Sequence, residues 1–200
     1  GISAVLLKDI DTENRLWEPI TDFTGVFDGG GFEIKNIKIE TIKAGAGLFK
    51  TNGGTIKNLG ISGVINGGDY CAAIAVYNNG VIENCKNTAE INGGNHTAGI
   101  TVQNGVRKGA EGKVSLCING GRVSGGNYVG GITADNINGV IEKCANNGFV
   151  KGNTMVGGVL AANESSLISC YNIGLVVGTG KAFRANIGGV LGWQNGTAEN

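Results

Sequence analysis

Several residue types are scarce in this chain of 200 residues, and each scarcity excludes a class of protein. There is one proline, one histidine and one methionine, and only 6% of the residues are aromatic. Charged residues make up 16%, and the 16 basic and 16 acidic side chains give a formal net charge of zero. A neutral chain attracts nucleic acid and anionic membrane surfaces only weakly, so we expect no nucleic-acid partner. No run of about 18 apolar residues occurs, so we expect no transmembrane segment.

The chain also lacks the close pairs of histidine or cysteine that metal sites use. The zinc motif His-Glu-x-x-His needs two histidines, whereas this chain has only His96. Its cysteines at 85, 117, 144 and 170 are separated by 32, 27 and 26 residues, without the short spacing of structural zinc sites. We therefore expect neither a metal nor a cofactor.

A packed core explains these cysteines and the histidine better. The four cysteines occupy one position of a repeat, and free cysteine behaves as a small buried hydrophobic residue. We interpret them as a stack of reduced thiols, while a disulfide between neighbouring copies and a metal site stay open as alternatives. His96 shares its repeat position with Tyr70, Tyr128 and Met155, which favours a packed corner residue over a ligand or a base.

The scattered acidic residues argue against an enzyme. A polysaccharide lyase would need clustered acids and a basic residue along one strand face. Glu83 and Glu142 share a repeat position with Lys57, a pattern typical of a solvated outer face. The pattern Thr-x-Thr does not occur, which disfavours ice binding. We therefore predict a non-catalytic protein.

Glycine and asparagine, in contrast, are abundant, with 38 and 24 residues, and both tolerate sharp turns. A motif of two small residues and one aliphatic residue, here called the doublet motif, recurs at spacings of 26, 26, 32, 27 and 31 residues. Its copies are Ala46-Gly47-Leu48, Ala72-Ala73-Ile74, Ala98-Gly99-Ile100, Gly130-Gly131-Ile132, Gly157-Gly158-Val159 and Gly188-Gly189-Val190. A repeat of this length with strand signals and no helix signals predicts a solenoid.

The repeats align on the cysteines into columns of similar residues. The cysteine column holds Ile37, Leu59, Cys85, Cys117, Cys144 and Cys170. Three residues earlier the column holds Ile34, Ile56, Ile82, Val114, Ile141 and Leu167. Six residues later it holds Ile65, Ile91, Val123, Val150 and Val176, and twelve residues later Cys71, Thr97, Val129 and Val156. Equivalent residues of adjacent parallel strands lie about 4.8 Å apart, so uniform columns predict parallel stacking.

We therefore predict an all-β fold, a parallel β-helix of about six coils of 26–32 residues, each with three short strands and three corners. The strands are expected near residues 99–102, 81–85 and 89–92 of their respective copies. Asn-Gly pairs at 79–80, 104–105, 138–139 and 195–196 are expected at one corner.

The two ends of the sequence depart from the repeat. Residues 1–31 are expected to form an N-terminal cap or lead-in, because residues 1–28 lack the doublet motif and terminal coils need covering. Residues 32–200 are expected to form the repeats. The last copy stops before its cysteine position, so we expect a longer parent chain with other domains.

Two copies carry insertions, and insertions in solenoids become loops on one face that is often a binding face. They lie around residues 107–113 and 179–186. The binding residues predicted from them are Arg107, Lys108, Lys113, Lys181 and Arg184.

Two segments resemble the GLUG motif of bacterial surface proteins. These are residues 189–197, GVLGWQNGT, and residues 46–59, which begin AGLF and end GTIKNL. The lead-in WEPI at 17–20 and FTGVFDGGG at 23–31 resembles the segment that opens such arrays. GLUG repeats occur in secreted or surface-anchored bacterial proteins, including the amino-terminal regions of zinc metallopeptidases that cleave immunoglobulin A1.

The resemblance implies a right-handed parallel β-helix with an adhesive, spacer or substrate-presenting role, outside the cell. It does not imply peptidase activity, since His-Glu-x-x-His is missing. We expect an adhesin segment or rigid stalk that binds a host or extracellular-matrix protein or glycan. The alternative is an accessory region of a larger secreted enzyme, such as a metallopeptidase or a polysaccharide-degrading enzyme.

Overall fold

The chain folds as a parallel β-solenoid of about seven turns. The structure is a computed structural model, and it describes residues 1–106, 109–180 and 185–199. Thirty short strands form four sheets, and every strand pair in the described residues is parallel. The predicted all-β parallel β-helix is confirmed. No helix in these ranges is long and apolar enough to cross a membrane.

Sheets A, C and D each take one strand from a coil, and the coils stack in sequence order. Sheet A contains Ala4–Val5, Val26–Asp28, Thr55–Lys57, Val81–Glu83, Gly112–Ser115, Gly139–Glu142, Ser166–Ile168 and Thr197–Glu199. Sheet C contains Phe49–Asn52, Ala75–Asn78, Thr101–Asn104, Thr133–Asn136, Leu160–Asn163 and Leu191–Gln194. Sheet D contains Cys71–Ala72, Thr97–Ala98, Val129–Gly130, Val156–Gly157 and Ile187–Gly188.

Sheet B consists of two rows of short strands that join in its long early strands. The long strands are Glu33–Glu40 and Gly60–Asn66, and Ile10–Asp11 pairs with the first of them. One row contains Lys86–Asn87, Ile118–Asn119, Ala145–Asn146 and Tyr171–Asn172. The other contains Glu90–Asn92, Val123–Ser124, Val150–Gly152 and Val176–Gly178.

A typical coil therefore has five short strands, and the expectation of three is wrong. The predicted strand at 81–85 ends at Glu83, because Asn84 adopts a φ of +49° and turns the chain from sheet A to sheet B. The predicted strand at 99–102 begins at Thr101, after a bend at the doublet motif. The same left-handed corner recurs at Asn58, Leu116, Lys143 and Ser169.

The inward columns are confirmed from residue 55 onward, but the predicted alignment of the first coil is wrong. Phe27, and not Ile34, is paired with Ile56. Ile34 is paired with Ile61, and Ile37 is opposite Gly63, so Ile37 does not belong to the cysteine column. The error arose because residues 33–40 alternate apolar and polar residues like the strand at 55–57 as well as the strand at 60–66. The strands within residues 1–31 join sheets A and B, while the division at residue 31 stays a prediction.

The doublet motif forms a tight bend at which the outer faces of sheets C and D pack on each other. Cys71 and Ala75 belong to the main core, whereas their neighbours Ala72 and Val76 belong to a second buried cluster. The other members of this second cluster are Ala98, Val102 and Ala134. Small residues are needed at the bend, since a Cβ added at Gly131 would overlap the Gly158 carbonyl oxygen.

Two ladders of asparagines, all buried except the half-buried Asn172, run along the axis of the solenoid. In the first, side-chain hydrogen bonds of 2.8–3.0 Å join Asn52, Asn78, Asn104, Asn136 and Asn163. In the second, bonds of 2.7 Å join Asn87, Asn119, Asn146 and Asn172. The expected Asn-Gly corner is therefore partly wrong, because Asn104 is an inward ladder residue with no exposed surface. Asn79 and Asn138 follow the ladder positions Asn78 and Asn136 by one and two residues.

Candidate functional site

Of the five binding residues predicted from the two insertions, Lys113 lies in the described part of the structure. Arg107, Lys108, Lys181 and Arg184 lie outside the described residues. Lys113 was expected in a loop, but it lies in the sheet A strand Gly112–Ser115 and is paired in register with Val81 and Val140. The insertion therefore ends before Gly112.

The side chain of Lys113 forms an ion pair with a carboxylate of the next coil. Its Nζ lies 2.9 Å from Oε1 of Glu142, and the hydrogen bond to this carboxylate raises the pKa of Lys113 above its ordinary value. The same contact lowers the pKa of Glu142. Glu142 shares its column with Lys57 and Glu83, as predicted, and also with Ser115, which is buried. A lysine with its own carboxylate partner is a poor anchor for a separate anionic ligand.

The cysteine column is confirmed in position, and all five cysteines are free thiols. Cys85, Cys117 and Cys144 are at most 1% exposed. Burial raises the pKa of Cys117 well above its ordinary value and that of Cys71 to about 11. Such thiols are poor nucleophiles at neutral pH. Within the described ranges, no three His, Cys, Asp or Glu side chains are grouped so as to hold a metal ion.

His96 is a packed corner residue, as predicted. Its ring is stacked between those of Tyr70 and Tyr128, with centroid distances of 4.8 and 4.6 Å and interplanar angles of 4° and 10°. All three residues have positive φ values, between +56° and +65°, so their side chains project at equivalent corners of successive coils. This stack fixes the plane of the imidazole ring.

The imidazole ring is joined to a carboxylate on sheet C that sequence reasoning missed. Nδ1 of His96 lies 2.7 Å from Oδ2 of Asp135, and Nε2 of Gln103 donates to the same oxygen at 3.2 Å. When the carboxylate is ionised it only accepts hydrogen bonds, and the proton of this pair is then on Nδ1. Asp135 is only 8% exposed. Both of its hydrogen bonds within the described residues use Oδ2, which leaves Oδ1 without a partner there.

A groove opens beside Asp135 because one column of sheet C changes in size from coil to coil. The column runs Thr51, Tyr77, Gln103, Asp135, Ala162 and Trp193. Ala162 is flanked by the larger Asp135 and Trp193, so it forms a floor between two walls. Two coil spacings separate these walls, which is about 10 Å.

We call this feature the Ala162 groove. It has a volume of about 310 Å³, and its lining residues are His96, Gln103, Tyr128, Asp135, Asn136, Ile137, Met155, Ala162, Glu164 and Trp193. No lysine or arginine of the described chain lines it. Aromatic and polar groups converge on a preformed concavity, which is the usual composition of a small-ligand site.

Another cleft of similar size lacks this composition. A cleft of about 390 Å³ lies along Asn58, Asn84 and Lys86, and no aromatic ring lines it. Asn58 and Asn84 are already joined to each other by a 2.7 Å hydrogen bond. The Ala162 groove is therefore the stronger candidate site.

The comparisons with known proteins bear on the fold. No family model matches the chain, and no curated protein matches it. The chain is similar to a solved crystal structure, described as a putative immunoglobulin A1 protease from Bacteroides ovatus. It aligns with a TM-score of 0.67 and 22% identity over 98% of this chain and 68% of that chain. At this identity the likeness supports a shared β-solenoid fold.

Proposed function

We propose that this chain is a non-catalytic, ligand-binding region of a secreted or surface-attached bacterial protein, acting as an adhesin segment or rigid stalk. The observation that carries the proposal is a preformed, partly aromatic groove on a continuously hydrogen-bonded rod. Parallel sheets join the coils and two asparagine ladders run through the central ones, so the groove is held at a fixed place on a stiff support. Sequence features that resemble GLUG repeats support the extracellular setting.

A second candidate role is favoured by the structural comparison. A solenoid that aligns over 98% of this chain belongs to a protein described as a putative immunoglobulin A1 protease. We propose, as the alternative, that the chain is an accessory region of a larger secreted enzyme and presents the substrate to a catalytic domain elsewhere. In this role the chain would contact immunoglobulin A1 but leave it intact.

Binding of the purified chain to an array of glycans, matrix proteins and immunoglobulin A1 separates these roles. Binding to a glycan or a matrix protein supports the adhesin role, and binding restricted to immunoglobulin A1 supports the accessory role. Binding to none of them would overturn both roles. In parallel, immunoglobulin A1 is incubated with the chain in the presence of Zn²⁺ and examined for fragments. We expect no cleavage, and cleavage that persists after further purification would contradict the non-catalytic assignment.

A further inference from the structure

We propose that the Ala162 groove binds a neutral saccharide, with one sugar ring seated on Ala162 between Trp193 and Asp135. The proposal rests on the ligand-binding function above and adds the chemical class of the ligand and its place on the solenoid.

The shape of the groove suits one ring-sized ligand. The walls at Asp135 and Trp193 are two coil spacings apart, about 10 Å, and the floor between them is a methyl group. A volume of about 310 Å³ lies at the small end of the range for ligand pockets, so it fits a mono- or disaccharide unit and not a folded partner.

The chemistry of the lining matches a sugar, which has an apolar C–H face and a rim of hydroxyl groups. Trp193 and Tyr128 offer half-buried aromatic surface for the apolar face. Oδ1 of Asp135 can accept a hydroxyl hydrogen, because His96 and Gln103 occupy only Oδ2. Sites that hydrogen-bond hydroxyl groups through buried polar atoms discriminate strongly against ligands without them.

The polar groups of the groove are also held in place before a ligand arrives. The ring of His96 is fixed between two tyrosine rings, and its hydrogen bond fixes Asp135 in turn. A preformed site loses less side-chain entropy on binding than a mobile one. This favours measurable affinity for a small ligand.

The charge of the groove selects against anionic sugars. Its ionisable groups are His96, Asp135 and Glu164, and no lysine or arginine of the described chain lines it. Sialic acids and uronates would bring a carboxylate beside two others without a compensating cation. Because Oδ2 of Asp135 already accepts two hydrogen bonds, the acceptor that remains is Oδ1, which suits a hydroxyl donor.

The test follows two tryptophan signals in one sample. The chain contains only Trp17 and Trp193, and the Trp17 indole donates to the carbonyl of Leu48 outside the groove. The chain labelled with ¹⁵N is titrated with methyl pyranosides of glucose, galactose, mannose, N-acetylglucosamine and N-acetylgalactosamine, and with lactose and cellobiose. We expect at least one of them to shift the indole signal of Trp193 and leave that of Trp17 unchanged. N-acetylneuraminic acid and a lysine ester serve as anionic and cationic comparators.

Two variants and two matched controls locate the binding. A162L fills the floor without removing a polar group, and W193A removes one wall, so each should weaken binding about 10-fold or more. Ala145 is an outward alanine of sheet B between Ile118 and the exposed Tyr171, so A145L and Y171A repeat the same two changes away from the groove. The controls should stay within about twofold of the parent chain.

Thermal unfolding of each variant establishes that the fold is retained. The proposal is overturned if no neutral sugar shifts Trp193, if only a comparator does so, or if A162L and W193A bind sugar as the parent chain does. The array tests the proposed function separately. If it detects a partner that binds A162L and the parent chain equally, the proposed function stands even though the saccharide proposal fails.

Discussion

At the scale of single residues, the buried asparagines are the least expected feature of the fold. Asn119 has no exposed surface, donates to Asn146 and to the Gly121 carbonyl, and accepts from Asn87. Each carboxamide thus satisfies a neighbour in the next coil and a backbone group in its own. A buried polar group without its partners costs about 1–3 kcal/mol, so a complete ladder is needed for stability.

Replacing Asn119 by alanine should therefore destabilise the chain by about 2–4 kcal/mol, because Asn87 and Gly121 lose hydrogen-bonding partners in the core. The measurement is the free energy of unfolding in urea. Asn147 is the matched control, since it is exposed and lies next to the ladder residue Asn146. N147A should change stability by less than about 0.5 kcal/mol. Equal effects of N119A and N147A would refute the structural role of the ladder.

The doublet glycines provide the space that this ladder occupies. A Cβ added at Gly131 would overlap both the carbonyl oxygen of Gly158 and the side chain of Asn146. At the equivalent position of the last copy, Gly189, no atom of the described residues lies within 4 Å of such a Cβ. The same motif therefore has different packing demands in different coils.

We expect G131A to cost about 3 kcal/mol of stability by overpacking, whereas G189A should be close to neutral. Both variants replace a glycine in the same repeat position, so the comparison removes the effect of alanine on the unfolded chain. Urea unfolding of the two variants measures the difference. Equal stability of G131A and G189A would contradict the account, because it would show that the bend at Gly131 has room for a Cβ atom.

At the scale of the element, columns explain why cysteine suits this core. Cys71 lies in a sheet D column with Thr97, Val129 and Val156, so the column accepts residues of about valine size. Burial raises the pKa of Cys71 from 9.0 to about 11. The folded state therefore keeps its proton at a pH where the unfolded chain has lost it.

This difference predicts a loss of stability in alkaline solution. The stability from the neutral Cys71 thiol is complete below about pH 9 and falls as the pH rises from 9 to 11, since the unfolded chain binds fewer protons. C71V removes this group with a side chain that the column already holds. Free energies of unfolding between pH 7.5 and 10.5 should fall less steeply for C71V than for the parent chain. Parallel profiles would contradict the assignment of Cys71 as a buried thiol.

At the scale of the whole molecule, the repeat predicted the solenoid because inward positions recur with nearly the same side chain. Ile82 and its stacked neighbours form a column that can be read directly from the sequence. The asparagine ladders were not predicted, because asparagine beside glycine also indicates an exposed turn. Periodicity alone does not tell an inward carboxamide from a corner one.

The Ala162 groove was missed for a different reason. A site created by a small residue between larger ones leaves no motif in the sequence. Asp135 and Trp193 are 58 positions apart and become neighbours of Ala162 only through the register of sheet C. The small side chain of Ala162 stands out only within its own column, which contains Tyr77, Gln103, Asp135, Ala162 and Trp193. The repeat is recognised by its inward residues, and this column does not point inward.

The solenoid also predicts a gradient of local stability along this chain. Strands such as Thr133–Asn136 are paired on both sides, whereas Leu191–Gln194 and Thr197–Glu199 are paired on one side only within the described residues. Amide hydrogen exchange should be slowest in the central coils and fastest in these last strands. Uniform protection along the chain would contradict nearest-neighbour stacking as the source of stability.

The most direct test of the account is a crystal structure of the chain soaked with the neutral sugar that binds it most tightly. The account predicts a sugar ring in van der Waals contact with the Cβ of Ala162, its apolar face towards Trp193, and a hydroxyl group within hydrogen-bonding distance of Oδ1 of Asp135. His96 should still contact Oδ2. A sugar bound elsewhere on the solenoid, with the Ala162 groove holding only water, would contradict it.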